Sequence, residues 1–249
     1  MATPAAVRLW RTAAQRRVVS AFNSIANARV QWQKATEEGR EAATEVVNSQ
    51  LTKGIIVDLD LGALATLPNL VPCANAKLTQ QQKRSLERLI SAFEQLEVSV
   101  SRLQSALEGF QEPPEAIRHN SGTPRTPLTN YGTMPSGSPA PEVTSKTTVF
   151  NCLSIRTLES IAMEMVKMFR QELEVKRQIT CAIHGLVANP AEEKSESRSK
   201  QELRELPSNE LRSRLEVYLS AWKLEPKIDL QRLDEITEML RDEMKMPSY

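Results

Sequence analysis

The sequence predicts an all-α fold: long antiparallel helices in a coiled-coil-like bundle, with a C-terminal helical hairpin. Three observations carry that prediction. Apolar residues recur in steps of three and four along several separate stretches, the spacing of one helix face. Only 8 of the 249 residues are Gly, and the good helix formers Leu, Glu, Lys, Arg, Ala and Gln are abundant. Aromatic residues make up 4% and apolar residues 40%, so any core is assembled from aliphatic side chains and alanine.

The elements follow in order. Residues 5–50 read as one long helix, or as two divided near Gly39. The stripe Val18, Phe22, Ile25, Arg29, Trp32 steps by four and three and continues through Ala35, Ala42 and Val46. Its second half is alanine-rich, which lets another helix approach closely. Residues 51–78 contain "IIVDLDL", which alternates briefly as a strand does, and Gly54, Gly62, Pro68 and Pro72 punctuate the segment. An extended apolar connection, with room for a short strand, is expected there. Residues 79–111 give the cleanest periodicity: Leu86, Leu89, Phe93, Leu96, Val100, Leu103, Leu107 and Phe110. That average repeat of about 3.5 residues keeps one narrow seam against a neighbouring helix. Thr79 with Gln82 fits a capping box at its start, and Gly109 with Pro113 and Pro114 ends it.

Residues 113–147 are rich in Pro, Gly, Ser and Thr and nearly free of bulky apolar side chains. Such a stretch buries too little surface to offset its ordering entropy, so a disordered linker is expected. It carries three Ser/Thr-Pro dipeptides, making Thr123, Thr126 and Ser138 candidate phosphorylation sites. Residues 153–188 form the next long helix, with a stripe of Leu158, Ile161, Met165, Met168, Glu172, Val175, Ile179, Ala182 and Leu186. A charged loop over 190–202 precedes a helix at 208–223 with Ser208 as N-cap. The last helix follows Asp229, where Ile228 and Leu233 stand at the positions of a hydrophobic staple. The organisation is therefore an N-terminal helical segment (1–112), a linker (113–147) and a C-terminal helical segment (148–249). The heptad helix is expected to pack on 153–188, with 5–50 alongside.

Charge and composition narrow the function classes. The formal net charge is +1, which directs no global field at nucleic acid or membrane. Residues 1–36 carry Arg8, Arg11, Arg16, Arg17, Arg29 and Lys34 and no acid. A mitochondrial leader reads this way. So do the basic first turns of a helix, and the apolar stripe running on into acidic sequence favours the helix. Basic stripes are absent from the later helices, so no direct nucleic-acid partner is expected. No run of 18 apolar residues suggests a membrane span. Cys73, Cys152 and Cys181 lack metal-ligand spacing and read as small buried hydrophobes.

Signals for catalysis are missing. His119 and His184 have no carboxylate or second histidine at helical ligand spacing, no Gly-rich loop precedes a helix, and no nucleophile elbow occurs. No cofactor and no enzymatic activity are expected. The densest polar cluster is "MFRQELEVKR", residues 168–177. Arg170, Glu174 and Arg177 can pair along one face, extended by Lys167 and Gln171, as on an ordinary solvated helix. Glu172 resists that reading, because it interrupts the apolar stripe between Met168 and Val175. A buried carboxylate needs a partner. The sharper reading is a polar specificity point in a helix–helix interface, answered by Arg or Lys from a neighbour.

Residues 165–225 resemble the cyclin-dependent kinase 2-interacting protein family. In "MFRQELEVKRQI" (168–179), Phe169, Arg170, Glu172, Leu173, Lys176 and Arg177 match an aromatic-Arg-x-Glu-Leu-x-x-Lys-Arg pattern. In "YLSAWKLEPKID" (218–229), Tyr218, Leu219, Ser220, Trp222 and Pro226 match a Tyr-Leu-Ser-x-Trp segment followed by Pro. The spacer between them is longer than in the family. Upstream, the Trp-bearing "NARVQWQKATEEG" followed by a heptad helix has the family's order. The resemblance implies a small non-enzymatic nuclear protein linked to DNA replication, checkpoint signalling and ribosome maturation. It implies an adaptor that acts beside AAA+ ATPase subunits with a second small helical protein, a cyclin-dependent kinase being a further candidate partner. The partner-interface candidates are the family-like residues Phe169, Arg170, Glu172, Leu173, Lys176, Arg177, Tyr218 and Trp222, and the seam residues Leu89, Phe93, Leu96, Val100 and Leu103. The periodicity alone fits equally a structural coiled-coil protein of a cytoskeletal or tethering complex, which would be cytoplasmic.

Overall fold

The computed structural model describes residues 4–58, 60–111, 148–187 and 208–245. Among them the protein is all-α. Five α-helices follow in order: α1 Pro4–Asp58, α2 Leu70–Gln111, α3 Ile155–Val187, α4 Ser208–Leu224 and α5 Leu230–Lys245, with a short 3-10 turn at Gly62–Thr66. An isolated bridge joins Thr148 to Ser154 just before α3.

Several boundaries differ from the sequence expectation, each for a local reason. Helix α1 runs through Gly39 without a break and continues to Asp58, so the "IIV" stretch is helical and no strand forms there. Helix α2 starts at Leu70, not at Thr79. Asn69 adopts a left-handed φ of 63° that ends the preceding turn. Pro72 then lies in the first turn of α2, where no backbone donor is needed. Thr79 is no cap, since its hydroxyl donates to the Asn75 carbonyl one turn back at 2.8 Å. The linker (113–147) with Thr123, Thr126 and Ser138, and the charged loop 190–202, lie outside the described residues.

The chain divides into two compact units, and each draws on both halves of the sequence. One unit combines Met1–Ala26, Leu103–Val166 and Leu230–Tyr249. Phe22 meets Phe110 edge-on there at 5.5 Å, among buried Val18, Leu158, Ile161, Leu233 and Ile236. The Gln15 amide donates to the Val149 carbonyl at 2.8 Å. Buried Glu243 on α5 accepts three consecutive backbone N–H groups, from Asn151, Cys152 and Leu153, at 2.9, 2.7 and 2.7 Å. Arg232 grips Glu164 with two nitrogens at 2.8 and 3.1 Å. Partners on α5 rise in number as those before and along α3 fall, so α5 runs antiparallel to α3.

The other unit combines Asn27–Arg102 and Lys167–Asp229. The hairpin expected of the two C-terminal helices is thus not a body of its own, because α4 belongs to this unit and α5 to the other. Here α1 and α2 are antiparallel. Glu45 accepts from Ser85 at 2.6 Å and Arg88 at 2.9 Å, and Gln31 accepts from Arg102. Farther along α1, Gln50 and Lys53 both bond the buried Gln82, at 3.0 and 2.5 Å. The Ser85 hydroxyl, followed by Arg88, holds the Glu45 carboxyl below its ordinary value, while burial lowers the Lys53 ammonium. Leu89, Leu96 and Val100 are buried inside the unit, as Leu103 is in the first. These seam candidates are therefore core, not open partner surface, and Phe93 is half-buried.

Candidate functional site

Three elements of the second unit converge on one ammonium group. On α3, Phe169, Glu172 and Lys176 fall at i, i+3 and i+7, which is one helix face. The buried face is therefore rotated from the expected stripe, and Met168, Val175 and Ala182 stand half-buried at its edges. On α1, Trp32, Thr36 and Gly39 fall at i, i+4 and i+7, again one helix face. The third element is the end of α4 with the turn after it, bearing Trp222, Glu225 and Lys227.

Lys176 and Glu172 are both fully buried. The Lys176 Nζ donates to the Trp222 carbonyl at 2.8 Å. That carbonyl lies in the last turn of α4, where no intrahelical donor is left for it. The same ammonium lies 3.4 Å from Glu225 Oε1 and 3.9 Å from Glu172 Oε1. It sits 4.6 Å from the Trp222 ring centre and 5.8 Å from that of Trp32, within reach of a cation–π attraction. Burial lowers the Lys176 pKa, and Glu225 and Glu172 work against that shift. Burial likewise raises the Glu172 pKa. The Lys227 backbone N–H and the Lys176 charge oppose that rise, and the Glu225 charge adds to it.

Glu225 is the pivot of the arrangement. It follows the last residue of α4 with φ of 49°, a left-handed conformation usually left to Gly or Asn. Its N–H still reaches the Ala221 carbonyl at 3.3 Å, and its carbonyl accepts from Ile228 at 2.9 Å. In that pose its carboxylate accepts from the Trp32 indole at 2.7 Å and the Thr36 hydroxyl at 3.2 Å. A left-handed non-Gly residue costs on the order of 1–3 kcal/mol, and these charge-assisted bonds offset it. Trp222 completes the lock. Its indole donates to the Thr36 carbonyl at 2.9 Å, and its ring lies flush on Gly39. Phe169 packs edge-on against Trp32 at 5.2 Å.

The candidate residues separate by exposure. Phe169, Glu172, Lys176 and Trp222 are buried in this node and are unavailable as open partner contacts, contrary to expectation. The Arg or Lys expected from a neighbouring helix does not answer Glu172; the lysine beside it, 3.9 Å away, belongs to its own helix, and its hydrogen bond comes from the Lys227 backbone N–H at 2.9 Å. Leu173 and Tyr218 are half-buried, while Arg170 is exposed. Arg177 is exposed, bonds Glu97 at 3.0 Å and lies 5.9 Å from the Phe93 ring centre. Sequence reasoning missed Thr36, Gly39 and Glu225. An acidic residue directly after an apparent helix end, where Gly is usual, was the available signal for Glu225.

Among the described residues no group of three or more His, Cys, Asp or Glu side chains could hold a metal ion. None of the described helices is long and apolar enough to cross a membrane. Cys73, Cys152 and Cys181 are exposed thiols, which corrects their expected burial. Compared with known protein families and with curated proteins, the chain finds no match.

Proposed function

We propose that the chain is a non-enzymatic adaptor or scaffold subunit of a nuclear complex containing AAA+ ATPases, assembled with a second small helical protein. In this reading it serves DNA replication, checkpoint signalling and ribosome maturation, as the resemblance of residues 165–225 implies. One observation carries it. Phe169, Glu172 and Lys176 from the first family-like stretch and Trp222 from the second meet in one buried node. Residues picked out by resemblance thus act together physically, which isolated leucine periodicity would not require. The node stiffens the scaffold and leaves a charged rim, Lys167, Arg170 and Gln171, facing solvent for a partner.

The test is affinity purification of the tagged chain from cells, with mass spectrometry and lysine cross-linking. A AAA+ ATPase and a small helical protein should be recovered, cross-linked through exposed Lys167, Lys223 or Lys227 and not through buried Lys176. Reversing the rim charges with Lys167→Glu and Arg170→Glu should cut recovery by about tenfold at unchanged thermal stability, because like charges then face each other across the contact. Recovery of self-associated chain alone would install the structural coiled-coil reading instead. Recovery of mitochondrial proteins would favour an organellar protein.

A further inference from the structure

The node brings together three ionisable groups, Glu172 and Lys176 fully buried and Glu225 with 17% of its side chain exposed, and their charges do not balance. With Lys176 charged and both Glu172 and Glu225 ionised, the net charge is −1. A buried uncompensated charge is costly, so the fold is best served by one added proton. The hydrogen bonds say where that proton belongs. Lys176 is held as an ammonium by the Trp222 carbonyl, two indole faces and Glu225. Glu225 accepts from the Trp32 indole and the Thr36 hydroxyl and lies 3.4 Å from the Lys176 ammonium, so its carboxyl is well partnered. Glu172 is the poorest-compensated member. Its Oε2 accepts the single N–H of Lys227, while its buried Oε1 has no hydrogen-bond partner.

We propose that Glu172 is the proton-binding group of a pH-responsive lock: as a carboxylic acid it lets the turn after α4 seat on α3 and α1, and as a carboxylate it loosens that seat. Three charged groups act on it. Lys176 on its own helix and Lys227 in the turn favour the carboxylate, Glu225 opposes it, and α1 presents the uncharged Trp32 and Thr36 to the node. The two lysines do not reverse the effect of burial, so the pKa of Glu172 is raised above its ordinary 4.5. A carboxyl with a raised folded-state pKa contributes stability that is complete below the unfolded value and is lost as pH rises through the folded value. Burial lowers the Lys176 pKa from 10.5, with Glu225 and then Glu172 opposing that shift. The node should therefore be tightest in acid and loosen as pH rises through the raised Glu172 value, opposite to an ordinary salt-bridged carboxylate.

The test uses the full chain with 13C-labelled glutamate, the Glu172 carboxyl being assigned through its own backbone so that no variant need fold. Its titration midpoint should lie above those of exposed glutamates, because burial disfavours the carboxylate. A midpoint at or below theirs overturns the proposal. Hydrogen exchange at the Lys227 amide reads the loosening, as a protection factor corrected for intrinsic base catalysis. It should fall about tenfold across the titration for each unit by which the midpoint is raised. Glu172→Gln keeps the oxygen that accepts from Lys227 and should abolish that fall. A protection factor independent of pH in the wild-type chain would leave Glu172 as a static core residue.

Discussion

Gly39 makes the node falsifiable with one methyl group. It sits mid-helix in α1, where glycine ordinarily costs about 1 kcal/mol relative to alanine. A Cβ built there would stand 2.4 Å from Trp222 Cζ2, 3.1 Å from Cε2 and 3.3 Å from Cη2. The indole cannot retreat freely. It is fully buried, and its nitrogen is tied to the Thr36 carbonyl at 2.9 Å, one turn back on the same helix. Overpacking of this kind costs roughly 1–3 kcal/mol, and the displaced hydrogen bond about 1 kcal/mol more. Subtracting the helix-propensity gain leaves Gly39→Ala destabilising by about 1–3 kcal/mol. In a chain of this length that lowers Tm by roughly 2–12 °C. Gly54 is the internal control, being in the same helix, exposed, and with nothing within 4 Å of its added Cβ. Gly54→Ala should raise stability by about 0.5–1 kcal/mol. Thermal or urea unfolding of both variants under identical conditions decides it. If Gly39→Ala is as stable as wild type or more so, Trp222 does not lie against α1 and the node is wrongly built.

Two further substitutions probe charges that the fold has enclosed. Lys176→Met should destabilise by about 3–5 kcal/mol in urea unfolding, since it strands Glu225 and Glu172 without their cation, whereas Arg177→Met one residue on should cost under about 1 kcal/mol. Glu243→Ala orphans the three N–H groups it accepts and should cost about 1–3 kcal/mol, with Glu243→Gln recovering much of that. Its effect should appear first as lost hydrogen-exchange protection at Cys152 and Leu153.

What could be read in the sequence depended on how much of each signal was local. The seam of α2 was legible because seven consecutive steps of three and four leave only one face to bury. The start of α2 was not, because Thr79 and Gln82 imitate a capping box by spacing alone. Within the helix Thr79 bonds backward to Asn75, and Gln82 is bonded across to α1. Gly39 read as a break because glycine inside a helix usually weakens it. Its purpose lies 183 residues away in sequence, in the ring of Trp222, and no local pattern could announce that. The cysteines misled for a related reason. A tendency towards burial is an average over proteins, and all three thiols here face solvent.

The stretch 168–177 shows how a charged segment divides its work. Ten residues make nearly three helical turns, so alternate polar side chains point to different surroundings. Arg170 and Gln171 face water. Arg177 reaches Glu97 and Glu174 at a half-exposed edge, an arrangement worth at most about 1 kcal/mol. Glu172 and Lys176 face inward and are the costly pair. Well-packed apolar residues in their place would often stabilise a protein as much or more. Their advantage over leucine is directional. The ammonium accepts only an arrangement that supplies the Trp222 carbonyl, the Glu225 carboxylate and two ring faces together, so it fixes where α4 ends on α3. The Lys176→Met comparison separates the two ideas. A large loss of stability with an unchanged pattern of exchange protection would mean the pair only contributes energy. Protection lost selectively over residues 222–228 would mean that it also sets the register of α4.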